Sequence, residues 1–111
     1  MQFGISDKSY GILLEVIQSF PEIKQAKIFG SRALGNYKKG SDIDIAVIGS
    51  NIDWNLVTKI HTKLNEGVDI PYYIDIIDYC NLNNNELKEH IDLNGKTIFH
   101  REYKERIRNN K

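Results

Sequence analysis

The feature that most strongly limits how the chain folds is a short apolar run at residues 43–48, which is flanked and interrupted by aspartates. Asp42 comes directly before it and Asp44 lies within it. Four of its six residues are β-branched, which predicts a buried strand. Because residues i and i+2 of a strand project from one face, we expect the two carboxylates to lie side by side. At about 4 Å and an effective dielectric near 20, they repel by roughly 4 kcal/mol, which favours a bound divalent cation.

A glycine–serine pair precedes these aspartates, with ten residues between Ser31 and Asp42. Residues 26–29 predict a strand and residues 31–34 predict a helical turn. The free N–H groups at such a junction attract anions, and Gly30 lets the backbone approach a ligand closely. Ser31 either caps the turn or donates its hydroxyl to a phosphate oxygen. Alone the pair is typical of an ordinary helix cap, but beside two carboxylates it indicates a phosphate site.

A third carboxylate is predicted on the strand at residues 71–78. Asp75 lies between Ile74 and Ile76, where burying an aspartate is costly unless it has a partner. Asp78 ends the same strand on the opposite face, where an ordinary polar residue is expected. We therefore favour Asp75 over Asp78 as the third acidic ligand.

These residues together resemble the DNA polymerase β-like nucleotidyltransferase superfamily. More closely, the chain resembles the minimal nucleotidyltransferases (MNT), an antitoxin group that is usually paired with a HEPN-domain protein. The likeness covers about residues 26–99. It includes Gly35 and Ser41 beside the two motifs above, and a further motif at residues 85–91.

The resemblance implies a metal site with two Mg²⁺ ions, or Mn²⁺ in their place. Asp42 and Asp44 would bind both ions. Asp75 would bind the catalytic ion and help to accept the proton of the attacking hydroxyl.

The resemblance also implies a site for ATP or another nucleoside triphosphate. Gly30 and Ser31 would hold the β- and γ-phosphates, and we assign Arg32 and Ser41 to the same site. Arg32 remains open between stabilising phosphate charge and pairing structurally with a carboxylate. Lys38 and Lys39 lie in the loop between the two motifs. Either one of these lysines screens the charge of the triphosphate, or the loop is simply solvated.

Composition agrees with a small enzyme subunit that forms one domain over residues 1–111. Lys and Arg together number 15, as do Asp and Glu, so the net charge is zero. This balance argues against bulk binding along nucleic acid, which needs a basic surface. The single Cys80 cannot form an internal disulfide. Because the sequence also has no membrane-length apolar run and no signal peptide at its start, we expect a cytoplasmic protein without membrane contact.

The predicted fold is α/β, a small mixed sheet of the polymerase-β-like type with helices on one face and the acidic cleft on the other. Helices are expected to begin near residues 7, 53 and 86, with residues 96–100 extended and residues 101–108 helical. Trp54 is expected to anchor packing, and His90 to be a surface residue. The basic tail at residues 101–111 is either solvated or a docking element for a partner.

The implied function is transfer of AMP from ATP to a hydroxyl of a partner protein, a tyrosine of a HEPN toxin, with this chain as the antitoxin. Two alternatives remain open: a small-molecule acceptor such as an aminoglycoside, and a non-catalytic module that neutralises its partner by contact. Three strands leave little surface for an acceptor. We therefore expect the chain to form a hetero-oligomer with a separate subunit that recognises the acceptor, or to form a homo-oligomer.

Overall fold

The computed structural model of the protein describes residues 1–101, so the helix expected at residues 101–108 lies almost wholly outside the described part. The elements in chain order are α1 (Asp7–Gln18), β1 (Ile23–Phe29), α2 (Ser31–Leu34), β2 (Ile43–Gly49), α3 (Trp54–Glu66), β3 (Ile74–Asp78), a 3₁₀ turn (Tyr79–Asn81), α4 (Asn85–Asn94) and β4 (Lys96–His100). Within residues 1–101, no helix combines the length and the apolar character that crossing a membrane requires.

The strands form one mixed sheet in the order β3-β2-β1-β4. β2 and β3 run parallel, whereas β1 pairs antiparallel with both β2 and β4. The predicted α/β class is confirmed. The segment predicted only as extended adds a fourth strand at the edge beside β1.

Helices α1 and α3 cover one face of the sheet, and they begin at or next to the predicted residues 7 and 53. The side chain of Ser6 accepts a hydrogen bond from the N–H of Ser9, and that of Asp53 accepts one from the N–H of Leu56. These caps satisfy donors that a helix start leaves free. The buried core between helices and sheet includes Leu13, Ile17, Ile43, Ile45, Val47, Ile60 and Leu64.

Helix α4 packs on the opposite face, a position that differs from the predicted one-sided arrangement. Its Ile91 is fully buried against Phe29 and Ala46. Because side chains alternate along β2, Asp44 shares this face with Ala46. The acidic residues therefore lie on the face that α4 partly covers. A short helix with few apolar residues does not reveal from sequence which face of a sheet it covers.

The prediction that Trp54 anchors packing is wrong. Trp54 is the first residue of α3, and 78% of its surface is exposed. It projects from the side of the helix that carries Thr58, away from the buried stripe that contains Ile60.

Candidate functional site

Two aspartates from neighbouring strands meet on the face shared with α4. Asp44 of β2 and Asp75 of β3 are direct partners in the parallel register. Strands in a sheet lie about 4.8 Å apart, so the two side chains are close neighbours on one face. Asp42 lies one residue before β2, and the N–H of Ile43 donates to the carbonyl of Tyr73 (2.9 Å), which extends the strand pairing towards it.

The electrostatics tie the three carboxyl groups together. Burial raises the pKa of Asp44 above its ordinary value, and the negative charges of Asp75 and Asp42 raise it further. The positive charge of Arg32 lowers it in part. A carboxylate with two anionic neighbours in a half-buried position gains from a cation.

The same groups fit an ion that arrives with a nucleotide better than a preformed metal cage. Among residues 1–101, no three side chains of His, Cys, Asp or Glu converge closely enough to hold an ion by themselves. Mg²⁺ commonly takes one or two carboxylates together with substrate phosphates and several waters. The carboxylates of the register partners Asp44 and Asp75 offer that donor chemistry.

Gly30 joins the predicted phosphate turn to the acidic pair. Its backbone has φ +73° and ψ −153°, a conformation that only glycine adopts readily. A Cβ atom here would collide with Oδ2 of Asp44. The N–H of Gly30 donates to Nε2 of His90 (2.9 Å), so this amide is already paired. Ser31 is the first residue of α2, so its N–H is one of those that a helix start leaves without a carbonyl partner in the same helix.

The guanidinium of Arg32 binds backbone carbonyls. Only 3% of this residue is exposed. Its nitrogens donate to the carbonyls of Ser41 (2.7 and 3.1 Å), Asp42 (3.3 Å) and Phe3 (2.9 Å). Two aromatic ring centroids lie 5.0 and 4.8 Å from it, those of Tyr37 and Tyr72. Of the two roles that the sequence left open, the contacts favour a structural one, with carbonyls rather than a carboxylate as partners.

Ser41 shapes the approach to β2. Its carbonyl accepts from Arg32, and its hydroxyl oxygen accepts from the backbone N–H of Lys38 (2.9 Å). These bonds close the loop directly before Asp42. The side chains of Lys38 and Lys39 are exposed, a position that fits both solvation and screening of a bound triphosphate.

His90 is the site residue that sequence reasoning missed. It was expected at the surface, yet its ring is half-buried and contacts both the Gly30 amide and the Phe29 ring. One signal was present: His90 follows Leu87 by three residues and directly precedes the buried Ile91, so it borders the inward stripe of α4. The sequence does not indicate that the end of β1 and the Gly30 turn pack against that stripe.

The comparisons with known proteins agree with this geometry. The sequence profile described as "Polymerase beta, Nucleotidyltransferase" matches residues 13–104. The chain belongs to the polymerase beta nucleotidyltransferase family. Nucleotidyltransferases of this family generally use divalent metal ions. One relative, a Haemophilus influenzae protein named probable protein adenylyltransferase MntA, is 28% identical over 80 residues, which are 71% of this nucleotidyltransferase and 69% of the relative.

Solved structures share the fold of this nucleotidyltransferase. A toxin–antitoxin crystal structure with AMP-PNP aligns with a TM-score of 0.69 and 22% identity, over 82% of this chain and 73% of the other. A complex of a tri-AMPylated Shewanella oneidensis HEPN toxin with an MNT antitoxin aligns with a TM-score of 0.64 and 20% identity, over 84% and 71% of the two chains. The predicted fold family is thereby confirmed.

We expect Asp44→Asn to change both the pH dependence of stability and the response to metal. Because the folded-state pKa of Asp44 is raised, the folded chain binds this proton more tightly than the unfolded chain. Stability of the metal-free protein should therefore fall as pH rises from the ordinary carboxyl range through the raised pKa. Asp44→Asn should remove that fall and raise the melting temperature of the metal-free protein at pH 7.

The same variant should lose the stabilisation that metal gives. At about ten times its dissociation constant, Mg²⁺ with nucleotide adds roughly 1.4 kcal/mol to the free energy of unfolding, a shift of several degrees in a domain of this size. Thermal unfolding of the wild type, of Asp44→Asn and of the exposed control Asp69→Asn measures both effects. An equal metal-induced shift in all three proteins would refute the assignment of Asp44 as a ligand.

Proposed function

We propose that this nucleotidyltransferase transfers AMP from ATP to a tyrosine hydroxyl of a HEPN-domain partner protein and thereby acts as the antitoxin of the pair. The observation that carries the proposal is the pairing of Asp44 with Asp75 beside Gly30, in a chain of the polymerase beta nucleotidyltransferase family. A protein acceptor is supported by the Haemophilus influenzae relative, which is named a probable protein adenylyltransferase. A HEPN partner is supported by the similar MNT antitoxin complex, whose toxin is AMPylated.

Metal binding in this proposal belongs to Asp42, Asp44 and Asp75. Two Mg²⁺ ions, or Mn²⁺, supply when bound the electrostatic stabilisation of charge on the attacking and leaving oxygens. The parallel register of Asp44 and Asp75, and the effect of Asp42 on the pKa of Asp44, support this assignment.

In the transfer step, protein residues bind the triphosphate and accept the proton of the attacking hydroxyl. The acceptor oxygen attacks the α-phosphorus of ATP, a new P–O bond forms, and the bond to the α–β bridging oxygen breaks. Pyrophosphate leaves with that electron pair, and the carboxylate of Asp75 takes the hydroxyl proton. Ser31 binds the β- and γ-phosphates through its N–H and hydroxyl, in a turn that the conformation of Gly30 holds close to Asp44.

The acceptor side chain comes from the partner in this mechanism. In-line attack needs a hydroxyl that is held close to the α-phosphorus and correctly oriented. A tyrosine on an extended segment of the partner satisfies this requirement better than one buried in the partner's core.

Co-expression with a HEPN-domain protein encoded in the same genome tests the proposal. With the wild-type chain and Mg²⁺-ATP, mass spectrometry should detect one or more AMP units on the partner, mapped by fragmentation to a tyrosine. The purified chain alone should transfer little AMP to free small molecules. The variant Ser31→Ala should raise the KM for ATP about tenfold or less, the scale of one lost hydrogen bond, while the fold stays intact.

Two results would overturn the proposal. An unmodified partner that Asp75→Asn neutralises as well as the wild type does would identify a binding module. Labelled AMP on an aminoglycoside, with none on protein, would identify a small-molecule enzyme.

A further inference from the structure

An imidazole links α4 to the glycine of the phosphate turn. Nε2 of His90 lies 2.9 Å from the backbone nitrogen of Gly30 and accepts its hydrogen. The ring also meets the Phe29 ring edge to face, with centroids 6.1 Å apart and an interplanar angle of 74°. Two contacts of different kinds therefore fix the ring against the end of β1.

The hydrogen bond requires one particular form of the ring. Nε2 accepts only when it carries no proton, so the neutral ring carries its hydrogen on Nδ1. Nδ1 lies 3.3 Å from the side-chain amide of Asn94, one helical turn further along α4. Nδ2 of Asn94 occupies that position, and rotating the amide by 180° exchanges it for Oδ1. That oxygen would accept the Nδ1 hydrogen and hold the ring in the form that serves Gly30.

Gly30 needs such support because its conformation is one that chains adopt rarely. Its φ of +73° and ψ of −153° persist only where the surroundings restrain the peptide from several sides. The carbonyl of Gly30 accepts from the N–H groups of Ala33 and Leu34 at 3.1 Å. Asp44 occupies the space where a side chain would lie, and His90 holds the N–H.

We infer that His90 is a positioning residue for the nucleotide site: it holds the Gly30 peptide so that Ser31 and Asp44 keep a fixed relation to each other. The inference rests on the proposed function, in which Ser31 meets the phosphates and Asp44 meets the metal. His90 acts through Gly30 and needs no contact with the substrate.

Two substitutions separate the acceptor atom from the bulk of the ring. In His90→Gln, Oε1 lies the same number of bonds from Cα as Nε2 does, so an acceptor remains for Gly30. In His90→Leu, a side chain of similar bulk offers none. We expect His90→Leu to raise both the Kd and the KM for Mg²⁺-ATP about tenfold with a smaller change in kcat, and His90→Gln to stay within about threefold of the wild type.

The control is His100→Leu, which removes an exposed imidazole on β4. It should bind Mg²⁺-ATP as the wild type does. Thermal unfolding of each variant shows whether the fold is kept. If His90→Gln loses as much affinity as His90→Leu while both stay folded, the ring contributes only by packing and the inference is wrong.

A measurement without substrate tests the contact directly. In the ¹⁵N-labelled wild-type protein, we expect a scalar coupling between the Gly30 nitrogen and Nε2 of His90, and slow exchange of the Gly30 amide hydrogen. His90→Leu should abolish the coupling and speed that exchange. Failure of the wild type to bind Mg²⁺-ATP would overturn the proposed function, whereas equal ATP affinity of wild type and His90→Leu would overturn this inference alone.

Discussion

Asp75→Asn is expected to lower the rate of AMP transfer about a hundred- to a thousandfold, the loss that follows removal of one electrostatic group from a reacting centre. The substitution keeps the shape of the side chain and removes one negative charge and one proton acceptor. Because Asp75 is the register partner of Asp44, its loss also weakens the pair that would hold the metal.

The fold should survive this change because other groups hold the start of β3. The side chain of Asn65 accepts from the N–H of Ile74 (2.9 Å) and donates to its carbonyl (2.8 Å). This pair of bonds fixes the backbone beside Asp75 independently of its charge. Removing the charge also relieves repulsion with Asp44, so the melting temperature of the metal-free protein should not fall.

Asp78→Asn is the matched control. Asp78 lies on the same strand, three residues away. Its side chain accepts a hydrogen bond from Asn81 (2.6 Å), and the amide oxygen of an asparagine at position 78 can accept it as well. Transfer by Asp78→Asn should stay near the wild-type rate when labelled AMP on the partner is followed over time. Full activity of Asp75→Asn together with a loss in Asp78→Asn would reverse our choice of the third carboxylate.

Gly30→Ala is expected to abolish most transfer by displacing Asp44. Two effects combine at this position: a backbone conformation (φ +73°, ψ −153°) that costs a residue other than glycine about 1–3 kcal/mol, and a Cβ that would collide with the Asp44 carboxylate. The strain lowers stability, whereas the displaced carboxylate spoils the metal site. We expect a loss of transfer of about a hundredfold or more, because a shift of about 1 Å at a reacting centre has effects of that size.

Gly40→Ala separates the two effects. Gly40 has a similar φ of +85°, but a Cβ there would have no other atom within 4 Å. Its variant should lose stability in chemical unfolding from the positive φ alone and keep transfer within a few fold of the wild type. If both variants lose transfer equally, backbone strain alone explains the loss and the contact with Asp44 does not matter.

Local patterns in the sequence determined the elements and the family. The apolar run around Asp44 predicted a buried strand, and helix starts were predicted near residues 7 and 53, where α1 and α3 begin. The spacing from Gly30 to Asp42 carried the resemblance that the family profile confirms. Such features are readable because they depend on residues close together in the chain, whose geometry the periods of helix and strand set.

Tertiary structure decided which distant groups meet. The register that pairs Asp44 with Asp75 depends on how two strands align, and their sequences permit other alignments. Arg32 donates to backbone carbonyls because the loop at Ser41 returns beside α2. His90 reached Gly30, 60 residues away along the chain, because α4 packs on the face that carries the acidic pair. Contacts of this kind arise from the packing of whole elements, which no local pattern encodes.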